Sequence, residues 1–479
     1  VNGNTHYPLC FRCFHLNSTS TPGTTHERFL WFFLKISLYK SLTGAITLPM
    51  AAKRTKTTPD PFTSAPGDTC GGNERKKTPQ RPVNDPKSVD WNRLREGDAA
   101  QWKADVGFRD IPDPRQAAKV RYPLPHLCAL IVAAMAAEFD SFEAMALWAH
   151  HHGEALLERL DLSPLPAMPS HDTFRHFLSL LEPGHLDTLV RRSLRLAGKD
   201  TLEGQLVLID GKALRGTWGP KAAPAGHLTV LNAHAPDLRL SLGSVPVAAD
   251  TNESAQLPGL IQSLSLEGAT VCIDAAGCQK TVADAITGKK AHYILTLKDN
   301  QPKLHDAVHT FFDTALAAGA APQGDLRTAT HQSASKGRQL QVTLHATTWL
   351  DWLDTKDDWR GLTTVARLQR RRVDEHGTVH ETTVHLLSSL SDPHAILAGA
   401  LGRWAIENTL HWTLDVTWGE DRCRTRERNA ALNLAALRRL ADNLHRLHPA
   451  RLSMKMKRRL AATSHTFLLD TLKPLLVHA

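Results

Sequence analysis

The 479-residue chain is 42% hydrophobic, enough to bury a large core across two or three domains, which excludes a small disulfide-stapled module. Its 57 Lys and Arg outnumber 48 Asp and Glu, giving a net charge of +9 and a pI of about 9.2, a moderate basic excess that suits a polyanionic partner without naming one. The seven cysteines are too dispersed for a disulfide framework and point to a reducing compartment, and no apolar run reaches the roughly 18 residues of a membrane span.

Residues 1–49 carry neither helical nor strand periodicity, and Met50 opens MAAKRTKTTPD as a natural start would. A leader or annotation overrun is expected there, with a signal peptide built on FLWFFL as the rival. The pair Cys10 and Cys13 has no second half, which disfavours zinc. Residues 50–98, rich in Lys, Arg, Thr, Pro and Gly, read as a basic disordered tail. Residues 99–200 read as a helical N-terminal domain: Leu127–Ala137 is strongly apolar, Ser141–Leu160 has helical spacing, and PSHDTFRHFLSLL offers Ser170 or Asp172 as N-cap ahead of an apolar face. The run His150, His151 and His152 is read as wet surface, because adjacent helical residues point in different directions.

Residues 201–445 change to strand-like patterns. In LVLIDGKALRG a short apolar run ends in Asp210, with Gly211 expected to turn the backbone away; Lys212 and Arg215 stand near enough to pair with that acid. Strand candidates follow at 227–234 and 238–248, then a helix over 254–264, the strand VCID ending in Asp274, a helix over 280–288 and a strand over 291–298. Short connections imply antiparallel neighbours and the strand–helix–strand order a parallel crossover, so the expected fold is α/β, a mixed sheet with both aspartates at adjacent central positions. Two such acids, with Glu407 as third, form an oxygen-only ligand set suited to Mg²⁺ or Mn²⁺. Lys298 closes the last strand in TLKDNQP, where a phosphate contact or an ordinary turn both fit.

A β-rich insertion is expected over about 323–391, and its run Arg370–Arg372 reads as a charged edge that blocks strand pairing rather than as a DNA contact. Residues 395–414 read as a helix placing Arg403, Glu407 and His411 on one stripe, followed by the acids Asp415, Glu420 and Asp421. The segment Arg422–Arg459 is densely basic and reads as a phosphate-tracking helical surface, with 446–479 as a basic C-terminal tail.

The ordered set PSHDTFRH, IDGKALRG, IDAAGCQK, TLKDNQP and RWAIENTLHWTLDVTWGED resembles bacterial insertion-sequence transposases of the ISAs type, in the DDE transposase superfamily. The resemblance covers about residues 100–445 and implies a ribonuclease H-like catalytic fold whose metal-binding and catalytic acids are Asp210, Asp274 and Glu407. One departure stands out. Related transposases carry a Tyr, Arg, Glu, Lys signature; here Arg403 and Glu407 keep their spacing, but Ala400 and Leu414 occupy the Tyr and Lys positions.

The resemblance implies a DNA transposase that cuts transposon ends and joins the 3′-OH to target DNA with two divalent ions roughly 3.5–4 Å apart. It also implies terminal inverted repeats as substrate, a homo-oligomer on DNA, no membrane partner, and a cytoplasmic, nucleoid-associated location. Lys212, Arg215, Lys298, Arg403 and His411 are the DNA-binding candidates. The alternatives are a nuclease of the same fold that only hydrolyses DNA and an inactive DNA-binding relic.

Overall fold

The computed structural model describes residues 84–91, 102–103, 108 and 111–478, except 197, 220–225, 249–250, 320–324 and 336–337; residues 1–49, most of 50–98 and the Cys10–Cys13 pair lie outside them. Among the described residues no helix is long and apolar enough to cross a membrane.

The first helices form as the apolar spacing predicts. They are α1 (Leu124–Ala136), α2 (Phe142–Arg159), α3 (His171–Leu180) and α4 (His185–Leu196). Ser141 and Ser170 cap α2 and α3, each accepting a backbone N–H from the first turn. Phe174, Phe177 and Leu178 of α3 are buried.

The nine strands β1 (Leu206–Leu214), β2 (Leu228–Ala235), β3 (Leu240–Pro246), β4 (Thr270–Ile273), β5 (His292–Leu297), β6 (Arg327–Ser335), β7 (Arg338–Thr347), β8 (Thr364–Val373) and β9 (Val379–Ser388) make one sheet. Its order is β3-β2-β1-β4-β5-β9-β8-β7-β6. The first three strands are antiparallel, while β1, β4 and β5 run parallel. This is the ribonuclease H-like mixed sheet, flanked by helices, that the resemblance implied. The β-rich stretch extends the sheet, because β9 pairs antiparallel with β5.

Helices α5 (Glu253–Gln262), α6 (Lys280–Gly288) and α7 (Pro302–Ala317) cover one face, where Val207 and Ile209 of β1 meet Leu257, Ile261, Val282 and Phe312. The intervening Leu208 points to the other face, as period-two alternation requires, into a core shared with α1–α4. That face also receives α8 (Pro393–Gly402), α9 (Trp412–Val416) and α10 (Arg428–Leu447). Side chains at Gly399 and Gly402 would collide with Ile294 of β5 and Leu206 of β1, so these glycines let α8 lie directly on the sheet. Residues beyond α10 form α11 (Met454–Thr463) and α12 (His465–Leu472), whose Phe467 and Leu468 join the same core.

Two sequence readings change. The strand of Asp210 does not end there: it continues through Gly211 to Leu214, because β2 keeps pairing with it after β4 has stopped at Ile273. The basic helix α10 is not a surface either. It is buried from Ala430 to His445, and its polar groups are used internally: Asn433 donates to the carbonyls of Leu178 and Leu181 at 2.9 and 2.8 Å, and Asn443 donates to Ser241 at 2.7 Å.

His445, fully buried and 2.8 Å from the Ala136 carbonyl, has its imidazole pKa pushed down to about 3, mainly by burial. Below pH 6.5 the unfolded chain therefore takes up a proton there that the native protein refuses, so stability present above pH 6.5 is lost as the pH falls towards 3. Between pH 7 and 5, His445→Gln should lose less stability than the parent, by up to about 1.4 kcal/mol for each pH unit below 6.5. Urea denaturation at the two pH values measures the difference, and equal losses in both proteins would contradict it.

Candidate active site

The site begins with strand register. Ile209 of β1 lies beside Ile273 of β4 in parallel pairing, so the residues that follow, Asp210 still within β1 and Asp274 just past the end of β4, stand at the same level. Asp274 caps a short turn, Ala275–Gly277, its Oδ1 accepting the Ala276 N–H at 3.1 Å. The TLKDNQP segment braces that turn: Asn300 donates to the Ala275 carbonyl at 2.8 Å and Gln301 to that of Cys278 at 3.2 Å, while Pro302 opens α7. Lys298 is left exposed at the end of β5.

The helix read over 395–414 is broken. After α8 the chain makes a π-turn, Glu407–His411, in which the Trp412 N–H reaches five residues back to the Glu407 carbonyl. Thr409 in this turn is held by its hydroxyl, 3.0 Å from Nε2 of His234 on β2. Glu407 keeps an exposed side, yet it lines one small cavity with Asp210, Asp274 and Arg403. His411 lies close as well, its Nδ1 3.8 Å from Oδ2 of Asp210. Burial, then Lys212 and Arg439, push the His411 imidazole down to about 3, so it faces Asp210 uncharged.

Sequence reading missed a fourth acid. Glu253, the first residue of α5, lays its carboxylate over Gly211, where any Cβ would collide with it. Only the absence of a side chain at 211 gives it room, and nothing in the spacing of α5 marks it out. Burial first, then Asp274, Glu253 and Glu407 in that order, push the Asp210 carboxyl up to about 7. Burial and Asp274 also raise Glu253. The acids share a cavity without meeting at a point: among the described residues no three His, Cys, Asp or Glu side chains make a ready-formed metal set.

Behind the cavity lies a buried ionic network. The ammonium of Lys212 is 2.7 Å from Asp415, 3.7 Å from Asp421 and 3.9 Å from Glu420, so the acids clustered after Glu407 have an internal partner. Arg439 of α10 bonds Glu420 at 2.7 Å and Asn232 at 2.6 Å, and Asn232 is the β2 residue opposite Asp210. Burial works to raise the Glu420 carboxyl, but Arg439, Arg438 and Lys212 outweigh it and hold it below the ordinary value. Arg215 is exposed, 3.5 Å from Asp421.

Residues 202–444 match the family model of the transposase DDE domain, and residues 107–193 match that of the DDE_Tnp_1-associated family. The chain belongs to the DDE transposases. Among its relatives is the protein named "Putative transposase YncI" in Escherichia coli O157:H7, 30% identical over 70% of this chain and 85% of that one. Another, in Escherichia coli (strain K12), is named "H repeat-associated putative transposase YhhI" and is 27% identical over 76% of this chain and 95% of that one. Among solved structures the piggyBac transposase synaptic complex with hairpin DNA is matched over 80% of each chain at 12% identity, with a TM-score of 0.37, too low for any residue-by-residue correspondence.

Arg439 and Glu420 are both fully buried, so removing the arginine strands a charge. Arg439→Met should cost about 3–5 kcal/mol of unfolding free energy. Chemical denaturation measures it, and a loss below about 1 kcal/mol, the range of an exposed pair, would show that the network is not holding the fold.

Proposed function

We propose that Asp210, Asp274 and Glu407 are the catalytic acids of a DNA transposase that cuts transposon ends and joins the freed 3′-OH to target DNA. The observation that carries this reading is the shared cavity: acids from two neighbouring strands, one within β1 and one just past β4, and from a π-turn some 130 residues on line one space. The donor set fits a hard divalent cation, since it is carboxylate oxygen alone, crowded enough to push Asp210 towards neutrality. When bound, Mg²⁺ or Mn²⁺, as a pair, would supply charge stabilisation for in-line displacement at phosphorus.

The protein's own groups do the rest. Asp210 and Asp274 are fixed by backbone pairing and by the capped turn, so their carboxylates need little reordering. Glu407 rides on a segment tied to β2 through Thr409 and His234, which sets its reach. Uncharged His411 beside Asp210 can accept or donate a hydrogen bond without adding charge. Lys212 supports the site from behind, held by Asp415, rather than reaching outward. Arg403, which lines the same cavity, would meet a phosphate of the terminal inverted repeat or of target DNA.

A supercoiled plasmid carrying the DNA that flanks the gene, together with pre-cut transposon ends, tests this. With Mg²⁺ the parent should nick and join. Asp210→Asn, Asp274→Asn and Glu407→Gln should each lose on the order of a thousandfold or more in both steps while keeping parental circular dichroism. Nicking without joining would make the protein a nuclease, and variants as active as the parent would remove the three acids from the chemistry.

A further inference from the structure

Beside the carboxylate cavity lies a cluster of which the proposed chemistry uses only Arg403. Strand β8 is not an edge: it is paired on both sides, by β7 and β9, so its arginine run has no role in blocking strand addition. Its two faces differ in chemistry. On one, Arg367 pairs with Asp313 and Arg371 lies 3.5 Å from Glu381 of β9. On the other, Ala366 and Leu368 pack into the core under α8, and Arg370 and Arg372 continue that line outward. The Arg370 guanidinium stacks 3.7 Å from the ring centre of Trp404, with Arg403 at 5.2 Å from the same ring.

Arg370, Arg372 and Arg403 make no ion pair with any acid among the described residues, in a chain where most charged groups around the site are paired. Burial first, then Arg372 and Arg403, lower the pKa of Arg370, so Arg370 is near enough to each of the other two cations to be repelled by it. Trp404 stands three residues before Glu407, and Arg403 also lines the carboxylate cavity. An anion lying along this line would relieve the crowding and would lead directly to the acids. Planar guanidinium groups fixed by stacking are suited to phosphate oxygens.

The geometry points to Arg370, Arg372 and Arg403, around Trp404, as a clamp for the phosphate backbone of duplex DNA beside the bond to be cut. The β6–β9 strands would then serve to bring a row of cations to the rim of the active site. This rests on the transposase reading, and the test separates the two.

Binding of a fluorescein-labelled duplex of the flanking DNA is followed by anisotropy in EDTA, so that no cutting intervenes, over a series of salt concentrations. Arg370→Ala with Arg372→Ala should weaken binding about tenfold near 0.1 M salt and lower the salt slope by roughly 0.9 for each lost phosphate contact. Arg371→Ala, which breaks only the pair with Glu381, should bind as the parent does. Because Arg372 is exposed, Arg372→Gln alone should leave the fold intact and still lower the slope by one contact, covering the case in which loss of the Arg370 stack disturbs packing. Arg370→Lys keeps the charge but not the planar stack and should fall between parent and Arg370→Ala. Parental affinity and slope in both Arg372→Gln and the double variant would overturn the clamp alone. A parent that binds no duplex at all would overturn the clamp and the transposase reading together.

Discussion

Parallel pairing of β1 with β4 in the register Ile209 beside Ile273 sets two carboxylates side by side, Asp210 within β1 and Asp274 just past the end of β4. Like charges so placed repel, and burial strengthens the repulsion, as the raised carboxyl of Asp210 records. Only part of the surrounding structure relieves that crowding. Asp274 gains a backbone N–H from its turn, whereas Glu253, admitted over Gly211, adds to the repulsion and His411, uncharged beside Asp210, does not offset it. A site arranged this way carries uncompensated negative charge.

The cost is carried by the packing behind it. Lys212, Glu420 and Arg439 form a buried ionic chain that runs from β1 through the segment after the π-turn to α10, and Asn232 closes it against the strand opposite Asp210. Such a network adds little net stability compared with apolar packing of the same volume, but breaking one member is severe. Its use here is positional. It ties the segment that follows Glu407 to β1, which carries Asp210, and to β2 and α10. α10 also packs against α1 and α3, so the helices of residues 124–196 share one core with the sheet.

The outer strands show how pairing redistributes function. An arginine run on an edge strand would discourage aggregation. Enclosed between β7 and β9, the same run divides by the period of two: Arg371 is paired on one face, while Arg370 on the other stacks on Trp404, three residues before Glu407, and Arg372 shares its face.

Much was legible in local pattern. The apolar run before each aspartate, the helix over 280–288 and a cap at Ser170 or Asp172, which the structure gives to Ser170, followed from periodicity and hydrogen-bonding chemistry, which act over a few residues. The antiparallel and then parallel arrangement of β1 to β5 was readable because connection length limits which strands can be neighbours, whereas the joining of β6 to β9 to the same sheet was not. What sequence alone determined was therefore the set of elements and the identity of three acids as candidates. Only the tertiary structure decided that β1 runs on past Asp210, that Glu407 sits in a π-turn, that Glu253 joins the acids and that Lys212 and α10 are interior. Each of these depends on a partner distant in the chain: a second strand, an opposing helix, or a counter-charge some 200 residues away. Local spacing carries no trace of such a partner, because the energy that fixes the outcome exists only once the two surfaces are in contact.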